Sequence, residues 1–258
     1  MKLISSRDNP LFKNIKTLAH SSRERRKTGL ALLEGVHLVS SFIAAHGSPR
    51  TIAVSESGQQ QSEIMHLLNR SAARETVVLS DALFKEASTL DSPSGILALI
   101  EPPPQQPVPQ GISSCVLLED IQDPGNVGSI LRSAAAAGVP HVLMSGNCAF
   151  AWSPKVLRAG QGAHFLINIV EDADLAAFVH DFGGQTLALS PHQGSPIFDV
   201  DLRQPLALMI GNEGAGLSGK LQAAAGRNVT IPMPGKTESL NVAAAAAICL
   251  FEMVRQRR

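Results

Sequence analysis

The sequence predicts an α/β protein of two domains, the larger one built on a parallel sheet. Three observations carry that expectation. Short apolar runs of strand length alternate with helical patterns through most of the 258 residues, as the crossover connections of parallel strands require. A proline-dense segment, from Glu101-Pro102-Pro103-Pro104 through Gln105-Gln106-Pro107-Val108-Pro109-Gln110-Gly111, interrupts the alternation; proline at this density favours an extended connector and excludes helix. The glycine-rich turns follow late strands, whereas an ordinary dinucleotide fold carries G-x-G-x-x-G after its first. The expected domains are residues 1–100 and 112–258, with 101–111 as the linker.

Before the linker, residues 30–34, 51–54, 76–79 and 95–100 read as strands, and residues near 9–20, 36–46, 60–70 and 81–88 as helices. This is a small α/β domain. After it, residues 115–118, 139–144, 166–170, 186–189, 206–210 and 229–231 are apolar and strand-length, with helical patterns between most of them. Ser153-Pro154 reads as a helix N-cap followed by proline at the first helical position. The last helix is expected over residues 239–255. Its run from Val242 through the alanines to Leu250 is apolar almost all round, so it should be buried, with alanines small enough for close approach of a second subunit.

Composition narrows the class. An apolar fraction of 44% is that of a globular chain, and no stretch approaches the ~18 apolar residues of a membrane span. The amino terminus lacks a signal core, and Cys115, Cys148 and Cys249 have no metal or redox spacing. They read as buried thiols of a cytoplasmic protein. The histidines, among them His37, His141, His164 and His192, show no ligand spacing either, so no metal is expected. Net charge is zero, yet the first 50 residues hold nine cations against three anions. Arg23, Arg25, Arg26 and Lys27 form its densest part, read either as an arm that meets nucleic-acid phosphate or as a solvated helix face.

Three loops after expected strands hold the unusual chemistry, where open α/β sheets bind ligands. In the first, Asp123-Pro124-Gly125 makes a turn and Asn126 is a helix cap or a catalytic group; Arg132, further along that helix, needs a carboxylate or a bound phosphate as partner. In the second, Gly211-Asn212-Glu213-Gly214 precedes a near match to a phosphate-cradling loop, Gly214 to Lys220. Leu221 stands where that loop needs a hydroxyl, which weighs against a nucleotidase. In the third, Ile231-Pro232-Met233-Pro234-Gly235 leads to Ser239-Leu240-Asn241, where Ser239 can cap the last helix.

Asp123-Pro124-Gly125-Asn126-Val127-Gly128 with Arg132-Ser133-Ala134, Ile210-Gly211-Asn212-Glu213-Gly214 with Gly216-Leu217, and Ile231-Pro232-Met233 with Ser239-Leu240-Asn241-Val242 resemble, in order and spacing, the three motifs of the SpoU (TrmH) RNA 2′-O-ribose methyltransferases of the SPOUT superfamily. Residues 1–100 resemble that family's L30e-like substrate-binding domain, through Arg25-Arg26 before Gly29, Leu33-Glu34-Gly35 and Ser94-Gly95-Ile96-Leu97-Ala98. The resemblance implies a deep trefoil knot, a homodimer, and S-adenosylmethionine held by Leu189, Gly211, Ile231, Met233 and Leu240. It implies Arg132, Asn126, Glu213, Ser239 and Asn241 as the catalytic set, with Glu213 positioning the arginine or the dimer partner. The implied substrate is RNA: 23S ribosomal RNA, with transfer RNA, or a non-catalytic RNA-binding module, as alternatives.

Overall fold

The computed structural model describes residues 1–109 and 113–258 and divides into two compact units, 1–104 with 152–165, and 105–151 with 166–258. Gln110 and Gly111, at the end of the expected linker, and Ile112, the first residue of the expected second domain, lie outside the described residues.

The first unit carries strands β1 (Lys2–Ile4), β2 (Ala31–Glu34), β3 (Thr51–Ser55), β4 (Glu75–Leu79) and β5 (Ile96–Ile100), ordered β1-β4-β3-β5-β2. Only β5 runs antiparallel to its neighbours. Helices α1 (Pro10–His20), α2 (Ser22–Thr28), α3 (Val36–His46), α4 (Ser62–Arg70) and α5 (Asp81–Ala87) connect them. Phe12, Ile15 and Leu18 of α1 pack with Leu79 and Phe84 in the core. The sequence pattern misses β1, three residues long, and α2, which has no apolar stripe.

Helix α2 corrects one expectation. Arg25 is only 5% exposed, and its guanidinium donates to the carbonyls of Leu18 and Ala19 at the end of α1. It closes a helix terminus whose carbonyls would otherwise lack partners, and so cannot face an RNA. Arg23, Arg26 and Lys27 are exposed.

The second unit holds β6 (Cys115–Leu118), α6 (Pro124–Ala136) and β7 (His141–Met144). After α7 (Pro154–Gly160), which groups with the first unit, come β8 (Asn168–Val170), α8 (Leu175–Asp181), β9 (Gln185–Leu189), the two-residue β10 (Ser195–Pro196), β11 (Leu206–Ile210), α9 (Gly219–Ala224), β12 (Arg227–Thr230) and α10 (Val242–Gln256). The seven strands are ordered β10-β12-β9-β11-β6-β7-β8, and every pairing is parallel. The parallel sheet expected from the apolar runs is therefore present.

Three local features depart from the sequence reading. Segment 152–165 packs with the first unit: Arg158 of α7 donates to Thr89 at 2.7 Å, and Thr89 in turn donates to the buried Glu34. The proline-rich segment is not a free spacer. Gln106 exchanges two hydrogen bonds with Asn168, and Val108 packs on the second unit's core. Helix α10 packs against α6 and buries Ala246, Cys249, Leu250 and Met253, but leaves Ala244 exposed and Phe251 49% exposed. Its run from Val242 to Leu250 is apolar almost all round, yet only one face is covered. The three cysteines are buried and free, as expected.

Candidate active site

Strands β12, β9, β11 and β6 are neighbours, and their carboxyl ends align through the pairs Val229↔Leu189, Met209↔Ala188 and Ile210↔Leu118. The loops that leave them therefore meet at one sheet edge, the place where parallel α/β sheets bind ligands. A cavity of about 280 Å³ opens there.

The second loop is fixed by its own side chain. Asn212 Oδ1 accepts from the main-chain N–H of Gly214 and Ala215, while its Nδ2 donates to Asp120 O at 2.8 Å. The loop folds back until Gly216 N donates to Asn212 O. Gly211 is obligatory at this crossing: a Cβ there would stand 2.2 Å from Gly216 C and Leu217 N. Ser218 caps α9, and its N–H and hydroxyl both donate to Glu119 at 2.6 Å. An acid at that helix start repels phosphate, which removes the nucleotidase reading on a second ground.

The third loop has the opposite character. Between Ile231 and Leu240 no main-chain group takes part in a turn, loop or capping hydrogen bond among the described residues. Unpaired N–H and C=O groups along a cavity wall are free to bind a polar ligand. Leu189, Gly211, Ile231, Met233 and Leu240, the five residues expected to hold a cofactor, all line the cavity, with Glu213 and Ser239 beside them. Three liners lie outside the motif segments read from sequence: Ser190, Pro191 and His192. His192, which follows β9, reads from sequence as a structural residue because the histidines show no ligand spacing.

Behind the cavity, three side chains join the loops. Asn241 Nδ2 donates to Asn126 Oδ1 at 2.9 Å, and Asn126 Nδ2 donates to Glu213 Oε1 at 3.0 Å. Glu213 also accepts the main-chain N–H groups of Gln122 and Asp123. Burial works to raise the Glu213 pKa, but the bonds from Asn126 and from the N–H groups of Glu213, Asp123 and Gln122 outweigh it and hold the carboxyl below its usual range. Asn241 keeps its orientation because Oδ1 caps α10, accepting from Ala243 and Ala244.

These contacts revise three assignments. Asn241, not Ser239, caps the last helix, and Asp123, not Asn126, caps α6. Each change frees the other residue for the cavity or for the amide chain. Glu213 engages Asn126 rather than Arg132. Arg132 stands about 9 Å further along α6 at 1.5 Å per residue; it is exposed and makes no hydrogen bond or ion pair among the described residues.

Residues 113–251 match the SpoU rRNA Methylase family, and residues 9–98 match the MRM3-like substrate binding domain. The chain is 32% identical to the 23S rRNA (guanosine(2553)-2′-O)-methyltransferase RlmP of Bacillus subtilis, over 98% of this chain and 99% of that protein. It is 31% identical to a 23S rRNA (uridine(2479)-2′-O)-methyltransferase of Streptomyces viridochromogenes, over 98% and 92%. In three dimensions it is similar to the SpoU methyltransferase AviRb of that organism, solved in complex with AdoMet, with TM-score 0.85, 30% identity and coverage of 96% and 98%. With a family match across the parallel-sheet unit and likeness to full-length relatives, the chain belongs to the SpoU rRNA methylase family.

Proposed function

We propose that this protein transfers a methyl group from S-adenosylmethionine to a ribose 2′-hydroxyl of 23S ribosomal RNA. The observation that carries the reading is the cavity itself, walled by a loop of unpaired main-chain groups and by the five residues expected to hold the cofactor. The residues fit that group. Gly211 lets the second loop fold back on itself at the cavity wall, and Leu189, Ile231, Met233 and Leu240 offer apolar contact beside main-chain donors and acceptors. When bound, S-adenosylmethionine supplies a methyl group already activated on a sulfonium.

The protein's task is alignment and charge. A ribose hydroxyl is a weak nucleophile at neutral pH, and correct positioning can remove several kcal/mol of barrier. Arg132 is the catalytic cation: exposed and uncommitted, it clamps an RNA phosphate and stabilises charge developing on the 2′-oxygen. A guanidinium does not deprotonate in proteins, so the hydroxyl proton leaves to phosphate or water. Asn126, Asn241 and Glu213 are positioning residues that lock the first loop and the start of α6 against the other two. Ser239 shapes the cofactor wall.

Ribosomal RNA is favoured over transfer RNA because the Bacillus subtilis and Streptomyces viridochromogenes methyltransferases, matched over 99% and 92% of their lengths, are both named for 23S rRNA. The reading includes a cytoplasmic homodimer in which the exposed faces of α6 and α10, with Phe251, meet a second copy, and a knotted final helix. It requires no metal, and no helix is long and apolar enough to cross a membrane among the described residues. Isothermal titration with S-adenosylmethionine and, separately, with ATP–magnesium tests it. Saturable binding of the first at micromolar-scale affinity supports the reading; binding of ATP alone contradicts it.

A further inference from the structure

Residues far apart in sequence bring Arg50 and Arg74, with Glu75 and Glu101 beside them, to one end of the five-stranded sheet. Thr51 at the start of β3 pairs with Glu75 at the start of β4 and with Leu99, and Ala31 at the start of β2 pairs with Ile100 at the end of β5. Arg50, Arg74 and Glu101 flank those residues and so lie in one row. Helix α2, with Arg23, Arg26 and Lys27, ends at Thr28 and enters the same end of the sheet through β2. A cavity of about 310 Å³ opens in this row, lined by His46, Ser48, Arg50, Arg74, Glu101 and Pro102 among others. Aromatic rings pack beside it: Phe42, itself a lining residue, is buried and its ring lies 5.6 Å from His46 and 5.4 Å from Phe165.

Neither arginine holds the fold together. Arg50 and Glu101 are 3.7 Å apart with side chains 53% and 66% exposed, a surface pair of little energetic worth. Arg74 is exposed and makes no hydrogen bond or ion pair among the described residues. Arg25, in the same unit, shows what a structural arginine looks like: buried, with its guanidinium spent on two carbonyls. Arg74, without a partner among the described residues, and Arg50, held only by an exposed pair, sit at one concave site and suit an anion they can fork onto; a phosphodiester has that geometry. The volume lies at the small end of ligand pockets, which fits a single phosphodiester and its sugar.

We propose that this end of the amino-terminal unit docks the RNA phosphate backbone, with Arg50 and Arg74 as its phosphate contacts and Glu101 as the group that limits their strength. The proposal rests on RNA being the substrate. It assigns a role to cations outside α2, the one basic cluster visible in the linear sequence.

The test is binding of transcribed 23S rRNA to the full chain from about 50 to about 200 mM salt, for wild type, R50Q/R74Q and E101Q, beside S-adenosylmethionine titrations of each. Each phosphate contact contributes about 0.7–0.9 to the slope of log affinity against log salt. The double variant should therefore lose about 1.5 from that slope and about tenfold or more in affinity, while cofactor binding stays unchanged. E101Q should bind RNA about threefold more tightly. If wild type binds and methylates RNA but R50Q/R74Q matches it in affinity and slope, the docking face is wrong and the methyltransferase reading stands. A double variant that loses cofactor binding along with RNA binding also contradicts docking. Wild type that neither binds nor methylates RNA would sink both readings.

Discussion

The side-chain amide of Asn241 donates to that of Asn126 at 2.9 Å across 115 positions of the chain. One residue caps the last helix and the other lies in the first turn of α6, so this bond ties the third loop to the first. Asn126 passes the connection to Glu213 in the second. Replacing Asn241 by alanine should cost about 1 kcal/mol as a lost helix cap and lower methyl transfer by more than that loss explains. Urea unfolding and single-turnover kinetics on the same variant separate the two effects.

Glu213 sets a pH limit. Its carboxyl is held below the usual range, with burial opposing and hydrogen bonds from Asn126 and nearby N–H groups prevailing. A depressed carboxylate stabilises the fold fully above its unfolded pKa of about 4.3 and loses that contribution as pH falls through the lower folded value. Wild type should exceed E213Q in stability by a constant margin from about pH 5 to about pH 8, with the margin shrinking below about pH 4. Thermal melts across that range check it, and a margin that grows on acidification would contradict the assignment.

Gly211→Ala places a methyl group against the backbone of Gly216 and Leu217. The clash is with main chain, so the loop must move. Overpacking of this kind costs about 1–3 kcal/mol, and the displaced loop should weaken S-adenosylmethionine binding by at least tenfold by calorimetry. The third loop adds main-chain groups that are unpaired among the described residues, so few single side-chain truncations should match this effect.

Arg132 should behave in the reverse way. Exposed and without a partner among the described residues, it can be changed to lysine or alanine within about 0.5 kcal/mol of wild-type stability. Cofactor affinity should be retained. Turnover should fall by about 10² or more, as when one preorganised donor is removed from a reacting oxygen. Lysine keeps the charge but loses the planar fork; near-normal turnover by R132K would overturn the clamp.

The parts legible in the sequence are those where local chemistry decides. Apolar runs such as Leu206–Ile210 and the Ser153-Pro154 helix start appear where the pattern places them, and the glycines of the second loop mark its sharp return. What stayed hidden depends on distant partners. Nothing adjacent to Arg25 says that its guanidinium turns back to the carbonyls of Leu18 and Ala19. Ser239 and Asn241 are equally good caps by composition, and the bond to Asn126 goes with the choice of Asn241. His192 reaches the cavity because β9 and β12 are neighbours, an order that no single strand encodes. Segment 152–165 reads as part of the second domain because it lies between two of that domain's strands, yet its contacts are with the first.

The cavity between the three loops is where we place 2′-O-methyl transfer to ribosomal RNA. The most direct measurement incubates the protein with unmodified 23S rRNA and isotope-labelled S-adenosylmethionine, digests the RNA to nucleosides, and locates the label by mass spectrometry. The expected result is one 2′-O-methylnucleoside, formed by wild type and lost with R132A. Label on a base, or none on ribose with cofactor and RNA both bound, would contradict the account.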